Sequence, residues 1–221
     1  MSYSSYYLCM IDSHYVFIYY PEIILFLDYF GTVAFAITGA FKAIEQKADI
    51  VGVIILSSVT GLAGGLARDV IFGKYPPTAL SDPMYLILSI ITGFSIFFLY
   101  PRLKRHWNIF LKCDAVGLGV FTVIGASISY SIFGPNLLLV SIGGLITATG
   151  GGILRDVLVN EIPLVLVREL YATASFVGVI VFYVLIILSD PVIAAISGII
   201  SATGIRLLAI KYAWNLPKVK S

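Results

Sequence analysis

The side chains with chemistry to offer sit in two short, matching runs. Residues 57–80 read SSVTGLAGGLARDVIFGKYPPTAL, and residues 144–167 read GLITATGGGILRDVLVNEIPLVLV. Arg68 with Asp69, and Arg155 with Asp156, place charge inside otherwise apolar stretches. A charge at the bilayer centre costs at least about 2.5–3.5 kcal/mol, so it marks a pathway or a paired site unless it snorkels to the headgroups. Successive helix residues do not face each other. Each arginine is therefore expected to find its partner on another helix or in locally unwound chain. Gly64, Gly65, Gly150, Gly151 and Gly152 precede these pairs. A helix-interior glycine costs about 1 kcal/mol relative to alanine. Two readings compete for them: close helix packing, and a kink that turns carbonyls and amides into a water-filled path. Their recurrence at equivalent positions favours the kink. Ser57, Ser58, Thr60, Thr147 and Thr149 could supply oxygen ligands to a dehydrated cation, or could bond the helix carbonyl one turn back.

Other chemistries find little support. GGLARD and GGGILRD lack the GxxxxGK pattern of a phosphate loop. Asp69 and Asp156 could share a proton in an intramembrane protease, but they lie near opposite membrane faces and lack the GxGD signature. No catalytic residue is expected. Cys9, Cys113, His14 and His106 have no metal-ligand spacing, so no metal and no cofactor is expected. A net charge of +2 gives no reason to expect nucleic-acid binding.

Such motifs need a frame that crosses lipid. The chain has 221 residues, 59% of them hydrophobic and only 12% charged. A soluble domain carries about 25% charged residues. A mean hydropathy of +1.00 agrees with a polytopic membrane protein. Spans need about 20 apolar residues each. Seven are expected, at 23–44, 50–73, 83–101, 114–133, 136–159, 166–189 and 191–211. A Tyr-rich interfacial lead-in (1–22) precedes them and a basic cytoplasmic tail (212–221) follows. Asp28 and Asp114 stand where equivalent helices begin, and N-terminal capping is their expected role. Lys42, Lys47, Arg102, Lys104, Arg105, Lys112, Arg168, Lys211, Lys218 and Lys220 fall on one side, with Lys74 alone on the other. The positive-inside bias puts the N-terminus outside the cell and the C-terminus in the cytoplasm.

An internal repeat organises the spans. With a shift of 87, Thr60, Gly64, Gly65, Arg68, Asp69, Val70 and Pro76 fall on Thr147, Gly151, Gly152, Arg155, Asp156, Val157 and Pro163. With a shift of 86, Asp28, Gly31, Phe35, Gly39 and Ala40 fall on Asp114, Gly117, Phe121, Gly125 and Ala126. Spans three and six match weakly. Three spans per copy is an odd number, so the second copy (114–189) enters the membrane from the side opposite to the first (23–101). The fold class is therefore all-α, with two inverted three-helix repeats plus a seventh helix (191–211). Transport proteins are often built this way.

Two three-span copies, each with GG-x-x-RD in its second span, resemble the prokaryotic branch of the trimeric intracellular cation (TRIC) channel family. The resemblance covers residues 28 to about 211. It implies a homotrimer in a cell membrane, a pore in each protomer, and potassium or sodium ions as the permeant species. It implies that the second and fifth spans kink at Gly64-Gly65 and Gly150-Gly151-Gly152 and line the pore. Arg68, Asp69, Arg155 and Asp156 would then gate or brace it. The same domain is also described as a carrier of glycine or another small amino acid, which makes secondary transport the alternative. There, an arginine or a half-helix N-terminus would hold the substrate carboxylate.

Overall fold

The computed structural model describes residues 21–103, 107–167 and 170–214. The interfacial lead-in, the basic tail beyond Trp214, Cys9, His14, Lys104, Arg105, His106 and Arg168 lie outside the described residues. Every regular element described is helical: α1 (Pro21–Glu45), α2 (Ile50–Ile71), α3 (Thr78–Ser81), α4 (Pro83–Leu103), α5 (Trp107–Phe133), α6 (Leu137–Leu158), α7 (Leu164–Val167), α8 (Tyr171–Leu188) and α9 (Pro191–Tyr212). Seven of these are long and apolar enough to cross a membrane. The short α3 and α7 lie in the connections that follow α2 and α6.

The repeat is visible in how the helices start and stop. Asp49 caps α2 by accepting a hydrogen bond from the Gly52 amide at 2.8 Å. Asn136, 87 residues later, caps α6 by accepting from the Leu139 amide at 3.2 Å. At their far ends the chain turns left-handed at Gly73 (φ +70°) and at its counterpart Asn160 (φ +58°). Glycine and asparagine are the residues that tolerate that turn. The freed amides of Lys74 and Glu161 then return to the Asp69 and Asp156 carbonyls, at 2.8 and 2.9 Å.

A pseudo-two-fold axis runs through the middle of the bundle. There Phe35 of α1 meets Phe121 of α5 edge to face, ring centroids 5.1 Å apart. Gly31 makes room for the Phe121 ring and Gly117 for the Phe35 ring. Alongside, α2 and α6 cross in direct backbone contact. A Cβ on Gly64 would collide with the Thr147 carbonyl, and one on Gly151 with the Thr60 carbonyl. These are the same contact seen from the two copies. The seventh helix, α9, packs on α5 and α8 outside the symmetric core.

Candidate functional site: two buried arginine clusters across a glycine crossing

α2 and α6 are continuous helices of 22 residues, about 33 Å long at 1.5 Å per residue. Each is assigned as α-helix straight through its glycines. Arg68 and Arg155 lie in the final turns, on opposite sides of the crossing. Each lies four residues beyond its crossing glycine, Gly64 or Gly151, about 6 Å further along the helix.

Neither arginine snorkels. Arg68 is 2% exposed and Arg155 is fully buried within the protomer. Contrary to the rule that adjacent helix residues do not meet, each pairs with the aspartate that follows it. Arg68 Nε lies 2.9 Å from Asp69 Oδ1 and Arg155 Nε lies 2.8 Å from Asp156 Oδ1. The carboxylates turn inward because their second oxygens accept backbone amides from the next connection. Thr78 donates to Asp69 Oδ2 from both its amide and its hydroxyl, each at 2.8 Å. Leu164 donates its amide to Asp156 Oδ2 at 2.8 Å. At a helix terminus the long arginine arm can reach round to a carboxylate so placed.

Asp28 and Asp114 do not stand at the helix starts expected of them. Neither caps a helix. α1 begins at Pro21 and α5 at Trp107, so both aspartates fall inside their helices. Asp114 Oδ1 lies 2.9 Å from Arg155 Nη1, which also donates to Thr38 Oγ1 at 2.8 Å. This is the cross-helix partner that the buried arginine needs. Asp28 instead accepts from the Tyr85 hydroxyl at 2.7 Å.

Three contributors escaped the sequence reading. Tyr85 and Tyr171 are repeat mates at the same shift of 86, as are Ser89 and Ser175, although their spans match only weakly overall. Arg206, a lone charge in the last apolar helix, is fully buried, its guanidinium carbon 4.7 Å from the centre of the Tyr171 ring. Its position inside a span was a readable signal. Lys42, near the end of α1, reaches Glu161 beyond α6 at 2.5 Å, and Gln46 donates to the same carboxylate at 3.1 Å. The hydrogen bond from Lys42 holds the Glu161 carboxyl below the usual range for glutamate, against a smaller opposing effect of burial.

The hydroxyls divide. Thr60, Thr147 and Thr149 bond the carbonyls of Leu56, Gly143 and Leu145 one turn back, at 2.6, 2.7 and 2.8 Å. Ser57 reaches the carbonyls of Ala36 and Ser89 on neighbouring helices, at 2.9 and 3.1 Å. Ser58 Oγ is buried and makes no hydrogen bond. Gly65 and Gly152 face the arginine clusters and not the crossing: a Cβ there would meet nothing nearer than Arg68 Nη2 at 3.8 Å and the Tyr171 hydroxyl at 3.4 Å, respectively. Among the described residues, no three His, Cys, Asp or Glu side chains converge as metal ligands would.

Known proteins share this fold. A solved structure of a TRIC cation channel superposes with a TM-score of 0.82 at 39% identity, over 89% of this chain and 97% of that one. The TRIC orthologue from Rhodobacter sphaeroides gives 0.83 at 32% identity, over 86% and 98%. The chain belongs to the prokaryotic TRIC channel family. Membrane proteins named UPF0126 share that membership. One from Vibrio cholerae serotype O1 is 40% identical over 198 residues, which is 89% of this chain and 82% of the relative. The Escherichia coli K12 inner membrane protein YadS is 36% identical over 201 residues, 88% and 95% of the two chains. A family model described as "Glycine transporter" matches residues 25–101 and 111–186, the two TRIC repeats, and leaves α9 outside.

Proposed function

We propose that the protein is a passive channel for monovalent cations, chiefly potassium, and that it works as a homotrimer with a route through each protomer. The observation that carries this reading is the glycine crossing of α2 and α6 between two buried Arg-Asp clusters, in a chain 39% identical to a solved TRIC cation channel. A crossing without side chains brings backbone carbonyls and amides to the middle of the membrane, where little else is polar. Gly64, Gly65, Gly150, Gly151 and Gly152 are the positions where α2 and α6 would bend to open the route. Ser57, Ser58, Thr60, Thr147 and Thr149 are its polar lining. Arg68 with Asp69 and Arg155 with Asp156 brace or gate its two ends. The functional halves are 23–101 and 114–189. The Lys and Arg bias supports an extracellular N-terminus and a cytoplasmic C-terminus. Apolar side chains exposed along α4, α8 and α9 are available to lipid and to sister protomers.

One observation favours a second reading. The family model that spans both repeats carries the description of a glycine transporter. A buried guanidinium is a natural partner for an amino-acid carboxylate. Proteoliposomes separate the two. A channel collapses an imposed potassium gradient without saturation and takes up no glycine. A carrier shows saturable uptake and counterflow of labelled glycine.

A further inference from the structure

One lysine behaves unlike its fellows. Lys47, Lys74, Lys112 and Lys211 are exposed. Lys42 is only 6% exposed, although α1 ends three residues later at Glu45. A lysine so near a helix end would ordinarily extend its ammonium into water. Lys42 turns inward instead, and a buried ammonium is costly unless it is paired. The place it fills has the chemistry of a cation site. The Glu161 carboxylate meets the ammonium at 2.5 Å and is itself 36% exposed. The same nitrogen lies 5.7 Å from the centre of the Phe110 ring, within cation–π range. Glu45 adds a second carboxylate within electrostatic reach. Gln46 donates to Glu161 at 3.1 Å, and it also lines a cleft of about 430 Å³ with Asn160, Gly52 and Leu56. That cleft borders the pair and gives a lysine arm room to withdraw.

The place continues the line of the buried cluster. Lys42 follows Thr38 by four residues on α1, and Phe110 precedes Asp114 by four on α5. Both therefore stand one helical turn beyond the contacts of Arg155 with Thr38 and Asp114. Phe110 joins the two layers, because the Arg155 guanidinium carbon lies 5.0 Å from its ring centre. The pair also ties the copies together: Lys42 belongs to α1, and Glu161 to the connection after α6. The Arg68 end cannot repeat it. The residues 86 positions from Lys42 and Phe110 are Ile128 and Ile24.

We propose that the Lys42 ammonium occupies a cation position of the route at the Arg155 end, a site formed by the Glu161 carboxylate and the face of Phe110. The lysine is a tethered stand-in for the permeant monovalent cation. Permeation at this end requires the arm to swing into the neighbouring cleft, and potassium then meets the same carboxylate and ring. Lysine suits this role, since its ammonium is a compact charge on a flexible four-carbon stem. Glu161 suits it too, because a carboxylate open to water stays ionised when the lysine leaves.

This inference rests on the channel reading, and single-channel recordings in a potassium chloride gradient test both. Absence of cation current from wild type and from Lys42→Met alike would overturn the channel reading itself. Given current, Lys42→Met removes the tethered charge at similar length and is expected to raise open probability several-fold, with cation selectivity retained by Glu161. Lys42→Arg keeps the charge and is expected to open no more often than wild type. Glu161→Gln loosens the anchor and strips the site of its charge. It is expected to raise open probability several-fold and to lower cation-over-anion selectivity. Lys211→Met, which removes an exposed charge from the same end, is the control. A lysine that only braces the fold gives another pattern: Lys42→Met melts earlier and opens no more often than wild type. That result overturns the inference. If Lys42→Met fails to assemble, Glu161→Gln decides alone, and an unchanged open probability there overturns the inference.

Discussion

Arg155 and Arg68 occupy equivalent positions but should respond differently to loss of the aspartate on the neighbouring helix. Arg155 is fully buried and bonded directly to Asp114. Asp114→Ala leaves that charge short of a partner. Breaking a buried pair this way costs about 3–5 kcal/mol. A lower melting temperature and a loss of monodisperse protein in detergent are the expected result. Asp28→Ala removes no direct contact of Arg68, which keeps Asp69, and should cost distinctly less. Equal losses in the two variants would contradict the asymmetry. Glu161 gives a pH prediction. Its folded-state pKa is lowered, so the stability it contributes is complete above the ordinary glutamate value of about 4.3 and is lost as pH falls through the lowered one. The difference in melting temperature between wild type and Glu161→Gln should therefore stay constant through neutral pH and vanish only in acid. At this scale the sequence was partly legible. The burial of both arginines was one of the two readings their position within an apolar run allowed, but their pairing with the aspartate that follows was not expected. The roles of Asp28 and Asp114 were not legible either, because both looked terminal until α1 and α5 proved to begin seven residues before them. Arg206 lay outside the repeat that directed attention elsewhere.

The helices α2 and α6 separate two roles that glycine can play. Gly64 and Gly151 sit where the backbones touch, and any Cβ there meets a carbonyl of the facing helix. Gly64→Ala should destabilise by about 1–3 kcal/mol, the usual range for overpacking a well-filled contact. Gly65 has open space beside it. Gly65→Ala should leave stability unchanged or raise it by up to about 1 kcal/mol, since alanine favours helix. If α2 bends there in opening, the same substitution lowers channel opening while the protein melts no earlier. A Gly65→Ala variant that melts early would place Gly65 in the packing contact instead. Spacing announced the recurrence of these glycines. Spacing alone did not distinguish the glycine at the crossing from the one facing the arginine, because that depends on how α2 is rotated against α6. The connections were harder to read. α8 begins at Tyr171, preceded by the separate short α7, where one continuous run had been expected.

The whole molecule is an inverted repeat with an added helix, and its asymmetry matters as much as its symmetry. Phe35 against Phe121, and Gly64 against Gly151, define an axis that a shift of 86 or 87 residues already implied. The repeat predicts two equal ends. The structure supplies unequal ones, because Thr38, Lys42 and Arg206 have no counterparts at the Arg68 end. A shared motif encodes the frame, and single positions such as Thr38, whose repeat mate is Ile124, distinguish the two ends. The most direct test of the account is single-channel recording from the purified protein in a planar bilayer with asymmetric potassium chloride. Discrete current steps that reverse near the potassium equilibrium potential are expected. Silence at every voltage from intact protein, together with saturable glycine uptake by the same preparation, would contradict the account and make the molecule a carrier.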